Sequence, residues 1–349
     1  MEQNEIYARL PGALLPWYHE NMRDLPWRKD REPYHVWLSE IMLQQTRVEA
    51  VKGYYARFLA KLPTIDALAH TDDDVLHKLW EGLGYYSRVR NLKKAAQVIM
   101  NEYGGAFPEE YEKILSLPGI GEYTAGAICS ICFGAPTPAV DGNVLRVISR
   151  ITDDHTPIDD AGYKKAVRKA LAAVYPAQTG DFTQALMELG ATLCGPNWKP
   201  RCEKCPCRDF CLAYCRGTAE ELPVKSPKKQ KRVEELTVFL LECEGRLAIE
   251  KRPASGILAG LWQFPNVPTK LTPEQALIQV ETYGLKPRDI LMQTERQHIF
   301  THIRWEMRCY RILVAEPFGA FRWLDRDEFV REAALPTAFR KFLDQWNAH

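Results

Sequence analysis

The sequence Leu-Pro-Gly-Ile-Gly-Glu-Tyr-Thr-Ala-Gly-Ala at positions 117–127 predicts two helices joined by a short hairpin. Gly119 and Gly121 permit a tight turn, and the second helix would begin with free backbone N–H groups and the positive end of its dipole. Such a turn can hold a phosphate, although many turns of this composition are only turns. A hairpin that binds the DNA backbone does so without reading base sequence, so specificity would have to come from other residues.

Six of the ten cysteines are crowded between positions 194 and 215. The polar, acidic N-terminus lacks the apolar segment of a secretory signal, so we expect a reducing cytosol, where clustered thiols more often bind metal than form disulfides. The alternative is a reduced cysteine-rich loop without metal. Four thiolates suit either zinc or a [4Fe-4S] cluster, and spacing alone does not separate the two. The spacing C-x7-C-x2-C-x5-C selects Cys194, Cys202, Cys205 and Cys211, with Cys207 and Cys215 as substitutes.

Length and composition predict a globular protein of about two domains. The chain has 349 residues, of which 46% are hydrophobic and 26% charged, and its net charge of +1 neither supports nor excludes a nucleic-acid partner. No apolar run approaches the roughly 18 residues that a membrane span needs. We therefore expect a cytoplasmic protein with no membrane association.

The hydrophobic pattern predicts a multidomain fold of class α plus α+β. Apolar residues follow helical spacing from about 33 to 187, with a capped helix start at Asp72 and a stop at Gly104. The first domain is predicted over 1–224, with a helical core at about 25–136. A basic linker is predicted over 225–235, and its cations either lie near phosphates or are simply solvated.

The predicted second domain, 236–349, changes to strand periodicity. Alternation over 237–243 turns at Gly245 into 246–249, and a second alternation runs from Ile303 to Cys309. Helices are predicted over 273–283 and 327–346. This region is therefore predicted to be α+β.

The hairpin and the cysteine cluster, together with the segment 140–146, occur in the order found in endonuclease-III-like DNA glycosylases, which the chain resembles. Three further segments narrow the resemblance to adenine DNA glycosylases of the MutY type: Leu25–Arg28, Trp37–Thr46 and Gly82–Arg88. The resemblance is strong to about Leu222 and looser after it. It implies an all-α helix–hairpin–helix glycosylase domain followed by a Nudix-like domain.

Breaking an N-glycosidic bond requires an acid for the departing base and a carboxylate for the oxocarbenium-like sugar. Glu40 lies among apolar residues that should raise its pKa, which fits the acid. Asp141 is either an N-cap or, as the resemblance implies, the group that stabilises or transiently bonds C1′. Asn143 would orient these groups. Tyr123 stands where glycosylases with lyase activity carry a Schiff-base lysine, so the resemblance implies base removal without efficient strand cleavage.

The resemblance assigns further roles to residues of both domains. It implies an extruded adenine, a DNA-binding hairpin and a [4Fe-4S] cluster in place of zinc. The first two cysteines of the family's cluster are more commonly separated by six residues, whereas seven separate Cys194 from Cys202 here. Phe300, Thr301 and His302 stand where a Phe-Ser-His loop contacts 8-oxoguanine, and a Glu-rich Nudix metal helix is missing from the sequence. The remaining assignments are Arg23, Leu25, Trp27, Arg28 and Gln184 to the adenine pocket, Gln45 and Tyr85 to insertion into the base stack, and Leu117, Gly119, Gly121 and Thr124 to the DNA backbone.

The expected partner is double-stranded DNA with an A:8-oxoguanine or A:G mispair, bound by a monomer that associates with the nucleoid if the source is bacterial. Two other functions stay open. A thymine or pyrimidine glycosylase with lyase activity would carry a lysine at the position of Tyr123. A non-catalytic lesion-binding or redox-sensing iron–sulfur protein would not need both Glu40 and Asp141.

Overall fold

The computed structural model describes residues 3–196, 198–227, 230–317 and 319–346, without the side chains of 344 and 345. Lys228 and Lys229, which belong to the predicted linker, lie outside the described residues, as do the ends of the two predicted domains at 1–2 and 347–349. The described chain divides into two compact units. The first unit comprises 3–70 and 90–227, and the second comprises 71–89 and the residues from 230 onward.

The first unit is helical, as its sequence periodicity predicts. Its core forms where helices α1, α9 and α11 pack together around apolar side chains such as Leu14, Ile148 and Phe182. Helix α8 packs against both α2 and α11. The helices up to residue 216 are α1 (Gln3–Asn21), α2 (Pro33–Leu43), α3 (Val48–Lys61), α4 (Ile65–His70), α5 (Asp73–Leu79, in the second unit), α6 (Ser87–Tyr103), α7 (Tyr111–Leu115), α8 (Glu122–Cys132), α9 (Gly142–Thr152), α10 (Ala161–Ala172), α11 (Thr179–Thr192) and α12 (Leu212–Arg216), with single 3₁₀ turns at Pro26–Arg28, Cys202–Lys204 and Arg208–Phe210.

Two local predictions about these helices are confirmed. Asp72 caps α5, because its side chain accepts hydrogen bonds from the backbone N–H groups of Asp74 and Val75. Helix α6 ends at Tyr103, and Gly104 and Gly105 follow it with φ of 62° and 84°.

The second unit contains a mixed seven-stranded sheet. Its order is β3-β2-β1-β6-β5, with β4 paired to β1 and β7 paired to β2. The long strands β1 and β6 are parallel, and the other pairs are antiparallel. The strands are β1 (Arg232–Cys243), β2 (Arg246–Lys251), β3 (Trp262–Gln263), β4 (Asn266–Val267), β5 (Pro287–Ile299), β6 (Ile303–Val314) and β7 (Arg322–Leu324).

Helices cover both faces of this sheet. Helix α13 (Pro273–Thr282) packs on one face, and α14 (Arg326–Glu332) and α15 (Thr337–Trp346) pack on the other. The predicted turn at Gly245 is confirmed, since Glu244 and Gly245 both have positive φ, as a two-residue hairpin requires. The alternation of buried Trp305, Met307 and Cys309 along β6 is also confirmed.

Two predictions of element boundaries are wrong. The single helix predicted over 327–346 is two helices, because Pro336 disfavours a helical conformation at the residue before it and interrupts the backbone hydrogen bonds. Strand β1 begins at Arg232, so residues 232–235 of the predicted linker are part of the sheet, paired with β6. In the described residues, none of the helices has the length and apolar character needed to cross a membrane.

Candidate active site

The helix–hairpin–helix element consists of α7, α8 and the hairpin that joins them. Gly119 has φ of +78°, and a Cβ atom there would lie 2.5 Å from the Cβ atom of Asn91, so this turn requires glycine. Gly121 also lies in the turn, but the turn does not require glycine there, because Gly121 has φ of −100°, which any residue adopts. The side chains of Leu117 and Thr124 are buried. The groups of the hairpin that could contact a phosphate are therefore the backbone N–H groups at the N-terminus of α8, which has no side-chain cap.

Replacing Gly119 with alanine should destabilise the protein by about 2 kcal/mol, from the positive φ and the contact with Asn91 together. We also expect weaker binding to undamaged duplex DNA. Thermal unfolding and a binding titration measure the two effects. Gly12→Ala is the matched control, because Gly12 is exposed within α1 with open space around its Cβ position and should gain about 0.5–1 kcal/mol. Equal stability changes in the two variants would contradict the strained-turn explanation.

Glu40 lies on α2 and is 7% exposed. The hydroxyl group of Tyr123, on α8, donates a hydrogen bond to Glu40 Oε2. Burial raises the pKa of Glu40 to about 7, with a further increase from Asp141, while the Tyr123 hydrogen bond and Arg28 oppose the rise. The predicted raised pKa is therefore confirmed. Burial also raises the pKa of Tyr123 well above its ordinary value, so its hydroxyl stays protonated and remains a donor.

Asp141 is the N-cap of α9 and also a member of the same polar cluster. Its Oδ1 accepts a hydrogen bond of 2.8 Å from Val144 N, and its Oδ2 accepts one of 2.6 Å from Asn143 Nδ2. Burial raises the pKa of Asp141, and these two hydrogen bonds oppose the rise. The cap and the anionic role are thus not exclusive alternatives, because the two carboxyl oxygens have different partners.

Both carboxyl groups open into one cavity of about 560 Å³ in the first unit. This volume falls within the range of small-molecule sites. The cavity brings together residues from α2, α8, α9 and α11, so the predicted catalytic and pocket residues meet in one place. Its lining includes Arg23, Leu25, Trp27, Arg28, Glu40, Gln45, Tyr123, Asp141, Asn143, Gln184, Met187 and Glu188.

Glu188 is a buried member of this cavity that sequence reasoning missed. Its side chain has no exposed surface, and its oxygens accept hydrogen bonds of 2.6 and 3.0 Å from Arg23 and 2.7 Å from Arg28. These hydrogen bonds and the two positive charges outweigh burial, so the pKa of Glu188 is lowered. The available signal was a single acidic residue within the apolar run Ala185–Gly190.

Gln45 and Tyr85, the residues predicted to enter the base stack, both have strained backbones. Their φ angles are 60° and 46°, in a region that residues other than glycine rarely adopt. Gln45 is exposed at the cavity of the first unit. Tyr85 is 48% exposed and belongs to the second unit, where its hydroxyl lies 3.3 Å from Thr301 Oγ1. Such strain is typical of residues held in place for function.

The predicted recognition loop contains one anchored residue and two exposed ones. Phe300 packs edge-on against His298 and Trp305, at centroid distances of 4.6 and 4.8 Å. Thr301 and His302 are exposed at the turn between β5 and β6. The side chain of Phe300 therefore supports the loop, and the exposed surface of the loop is formed by Thr301 and His302.

Arg146, also missed from the sequence, connects the polar cluster that contains Asn143 with the cysteine loop. It is buried, and its Nη2 donates a hydrogen bond of 2.9 Å to Asn143 Oδ1. Its Nε donates one of 2.8 Å to the backbone carbonyl oxygen of Cys194. Gly190 allows this approach, because a Cβ atom there would lie 2.9 Å from the Cβ atom of Asn143. Asn143 is thus held from two sides.

The four cysteines selected by spacing line one apolar cavity, together with Val147, Ile151 and Leu189. Cys207 is buried but does not line it, and Cys215 is exposed and does not line it either. Arg150 donates a hydrogen bond of 3.2 Å to Cys194 Sγ. In the described part of the chain, no three Cys, His, Asp or Glu side chains are gathered as they would be around a single metal ion. Four thiols around an apolar space fit the donor set of an iron–sulfur cluster.

Comparison with known families agrees with this architecture. Residues 38–176 match the HhH-GPD superfamily of base excision DNA repair proteins, and residues 237–345 match the NUDIX domain. A thermostable thymine-DNA glycosylase is 31% identical with a TM-score of 0.54, over 61% of this chain and 97% of that chain. A trapped endonuclease III–DNA covalent intermediate shares the fold, with a TM-score of 0.53 and 22% identity, over 62% of this chain and 99% of that one. Fold and site together define a helix–hairpin–helix DNA glycosylase of base excision repair.

Curated relatives narrow this class. The adenine DNA glycosylase of Homo sapiens is 37% identical over 95% of this chain and 72% of its own length. The adenine DNA glycosylase of Buchnera aphidicola subsp. Acyrthosiphon pisum is 38% identical over 85% of this chain and 83% of its length. The chain belongs to the adenine DNA glycosylase family, and it is an enzyme that removes adenine from DNA.

Proposed function

We propose that the enzyme removes adenine mispaired with 8-oxoguanine, and also with guanine, and leaves an abasic site. The observation that carries this proposal is that the carboxyl groups of Glu40 and Asp141 open into one cavity, which would receive the extruded base. A base within duplex DNA has to leave the stack before such a cavity can reach its glycosidic bond.

Glu40 acts as the general acid. With its pKa raised to about 7, a large fraction of this carboxyl is protonated at neutral pH. Tyr123 occupies Oε2 as a donor, which leaves Oε1 to carry the proton that passes to N7 of the adenine. Protonation at N7 withdraws electrons from the glycosidic bond, so the base leaves as a neutral molecule. Glu40, now ionised, then accepts a proton from the attacking water.

Asp141 stabilises the positive charge that develops on the sugar, or bonds C1′ transiently. The two hydrogen bonds from Val144 and Asn143 fix its carboxyl group. Arg146 fixes Asn143 in turn, and it is therefore a positioning residue. A preorganised anion stabilises an oxocarbenium-like transition state without the cost of reorganising at the moment of reaction.

The enzyme is monofunctional. A coupled lyase needs an amine that forms a Schiff base with the sugar, and the residue at the corresponding hairpin position is Tyr123, whose hydroxyl is committed to Glu40. The described residues that line the cavity include arginines but not lysine. We therefore propose base release without efficient cleavage of the strand.

Cys194, Cys202, Cys205 and Cys211 would hold a [4Fe-4S] cluster. When bound, the group would supply four iron–thiolate bonds that fix the loop 194–211 around it. Arg150 donates to the Cys194 sulfur, and Arg146 donates to the Cys194 carbonyl. Arg146 also contacts Asn143, which holds the Asp141 carboxylate. The position of this carboxylate therefore depends on how well the loop is fixed.

The second unit would examine the base opposite the adenine. Its Gly82–Tyr86 segment and its Phe300–His302 loop meet at the contact between Tyr85 and Thr301. Both contacting residues are exposed, and Thr301 offers a hydroxyl and a backbone N–H group to an oxidised guanine. We propose that Tyr85 and Gln45 occupy the stack from which the adenine is extruded.

A base-release assay under single-turnover conditions tests the proposal. The enzyme should release free adenine from A:8-oxoguanine and A:G duplexes, leave A:T intact, and leave the strand uncut until alkali is added. Release of thymine from a G:T duplex with strand cleavage would favour the pyrimidine glycosylase. Binding without any base release would favour the non-catalytic lesion-binding protein.

The rate of base release should decrease as the pH rises above the pKa of Glu40. Because the acid must be protonated and its pKa is about 7, the single-turnover rate should be nearly constant below pH 7 and fall about tenfold per pH unit above it. Measuring the rate from pH 5.5 to 9 on the A:8-oxoguanine duplex checks this. A rate that stays level across pH 7 would remove Glu40 from the acid role.

A further inference from the structure

The buried ion pair at Glu188 lines the same cavity as Glu40 and has no role in the mechanism above. Glu188 Oε2 accepts a 2.7 Å hydrogen bond from Arg28, and Arg28 lines the same cavity as Glu40. Arg28 is also held by the backbone carbonyl oxygen of Arg23 at 3.1 Å, and its guanidinium lies 5.6 Å from the centre of the Tyr18 ring. Arg28 thus has a fixed position whose only carboxylate partner among the described contacts is Glu188.

We infer that Glu188 is a positioning residue for base release, because its carboxylate retains Arg28 and Arg23 on its own oxygens and so keeps the Arg28 guanidinium from pairing with Glu40. The inference rests on the proposed acid role of Glu40. Without Glu188, Arg28 would be an unpaired cation in a cavity that also contains the carboxyl groups of Glu40 and Asp141. Of these two, Glu40 is the carboxyl whose pKa the Arg28 charge already lowers, so it is the partner that Arg28 would gain.

The charges around Glu40 show why this arrangement matters. Tyr123 faces it from α8 as a neutral donor, and Asp141 faces it from the start of α9 and favours its protonated form. Arg28 is the group whose charge favours the ionised form. The Cys132 thiol on α8 is also near, and burial raises the pKa of that thiol, so it contributes no charge at neutral pH. The protonation of Glu40 therefore depends on where the Arg28 charge is compensated.

A glutamate at position 188 can compensate the charge of Arg28 because its side chain, which extends from α11, reaches both Arg23 and Arg28. Two arginines and one carboxylate leave the cluster with a single net positive charge, spread over Arg23 and Arg28. Arg23 is the more exposed of the two, with 36% of its side chain accessible against 13% for Arg28. The uncompensated charge is therefore better solvated at Arg23 than at Arg28.

The test is the pH profile of single-turnover adenine release. In Glu188→Gln, the midpoint of the alkaline loss of activity should move down by about one pH unit, so the rate should fall roughly tenfold at pH 8 and change about twofold or less at pH 6. In Arg28→Gln the midpoint should move up. The double variant should return close to the wild-type midpoint, which also shows that the loss in Glu188→Gln is not unfolding.

Asp181→Asn is the matched control on the same helix. Asp181 also accepts from an arginine, Arg31, but this pair is exposed and outside the cavity, so the midpoint should not move. A Glu188→Gln profile lowered equally at all pH values, with an unchanged midpoint, would overturn the inference and leave Glu188 as a structural ion pair. A wild-type profile without a midpoint near pH 7 would instead overturn the acid role of Glu40.

Discussion

Glu40→Gln should release adenine about 10²- to 10⁴-fold more slowly than the wild type in single turnover while binding the A:8-oxoguanine duplex with similar affinity. Glutamine keeps the shape of the side chain and can accept the Tyr123 hydrogen bond, but it carries no transferable proton. Rapid-quench measurement of base release, combined with a binding titration, separates the two effects. Base release within about tenfold of the wild-type rate would contradict the acid role.

The same variant should be more stable than the wild type at alkaline pH, which shows that lost activity is not lost structure. The pKa of Glu40 rises from 4.5 in the unfolded chain to about 7 in the folded protein. Between these values the folded state binds more protons than the unfolded state, so the free energy of unfolding decreases as pH rises. The decrease, about 3 kcal/mol in total, is complete above pH 7.

Glutamine does not ionise and therefore avoids this loss. The thermal midpoint of Glu40→Gln should exceed that of the wild type at pH 8 and be close to it at pH 5. Equal midpoints at both pH values would mean that Glu40 is not a buried acid with a raised pKa. The activity and stability measurements thus test the same carboxyl group independently.

The features that sequence predicts well are those set by neighbouring residues. Asp72 caps α5 because capping depends on a side chain and an N–H group two or three positions away. The environment of Glu40 was predictable because Trp37 and Ile41, which flank it on α2, are themselves buried. The alternation along β6 follows from the strand period alone.

The features that sequence does not predict depend on contacts between distant segments. Glu188 pairs with arginines more than 150 positions earlier, and nothing near it in the chain specifies a cation. Arg146 connects Asn143 to Cys194 only because α9 and α11 pack closely. The sequence also does not distinguish the two glycines of the hairpin, because only the backbone shows that Gly119 has a positive φ while Gly121 has φ of −100°.

Pro336 is a local signal that the prediction of one helix over 327–346 does not take into account. The amphipathic pattern from 327 to 346 continues across it, because both α14 and α15 contribute Phe329, Phe339 and Phe342 to the same apolar core. Continuity of a buried face therefore does not establish continuity of a helix. The proline was the more informative residue, since it acts on the backbone directly.

Asp141→Asn should reduce the rate of adenine release by about 10²- to 10³-fold, because it removes the anion that stabilises the sugar cation. The amide oxygen can still accept from Val144, so the cap of α9 is retained. The hydrogen bond from Asn143 Nδ2 is lost unless the Asn143 amide rotates by 180°, because the NH₂ groups of residues 141 and 143 would otherwise face each other. Asp160→Asn is the matched control, since Asp160 caps α10 by the same 2.8 Å contact, with Tyr163 N, and lies outside the cavity.

The double variant Asp141→Asn with Asn143→Asp separates charge from geometry. It exchanges the two side chains, so a hydrogen bond between positions 141 and 143 is possible again, and the carboxylate at 143 can pair with Arg146. The negative charge is kept in the cluster but leaves the position next to the sugar. We expect this variant to remain as slow as Asp141→Asn while its thermal midpoint recovers. If it regained the wild-type rate, hydrogen bonding within the cluster would be sufficient, and a carboxylate at position 141 would not be what stabilises the departing sugar.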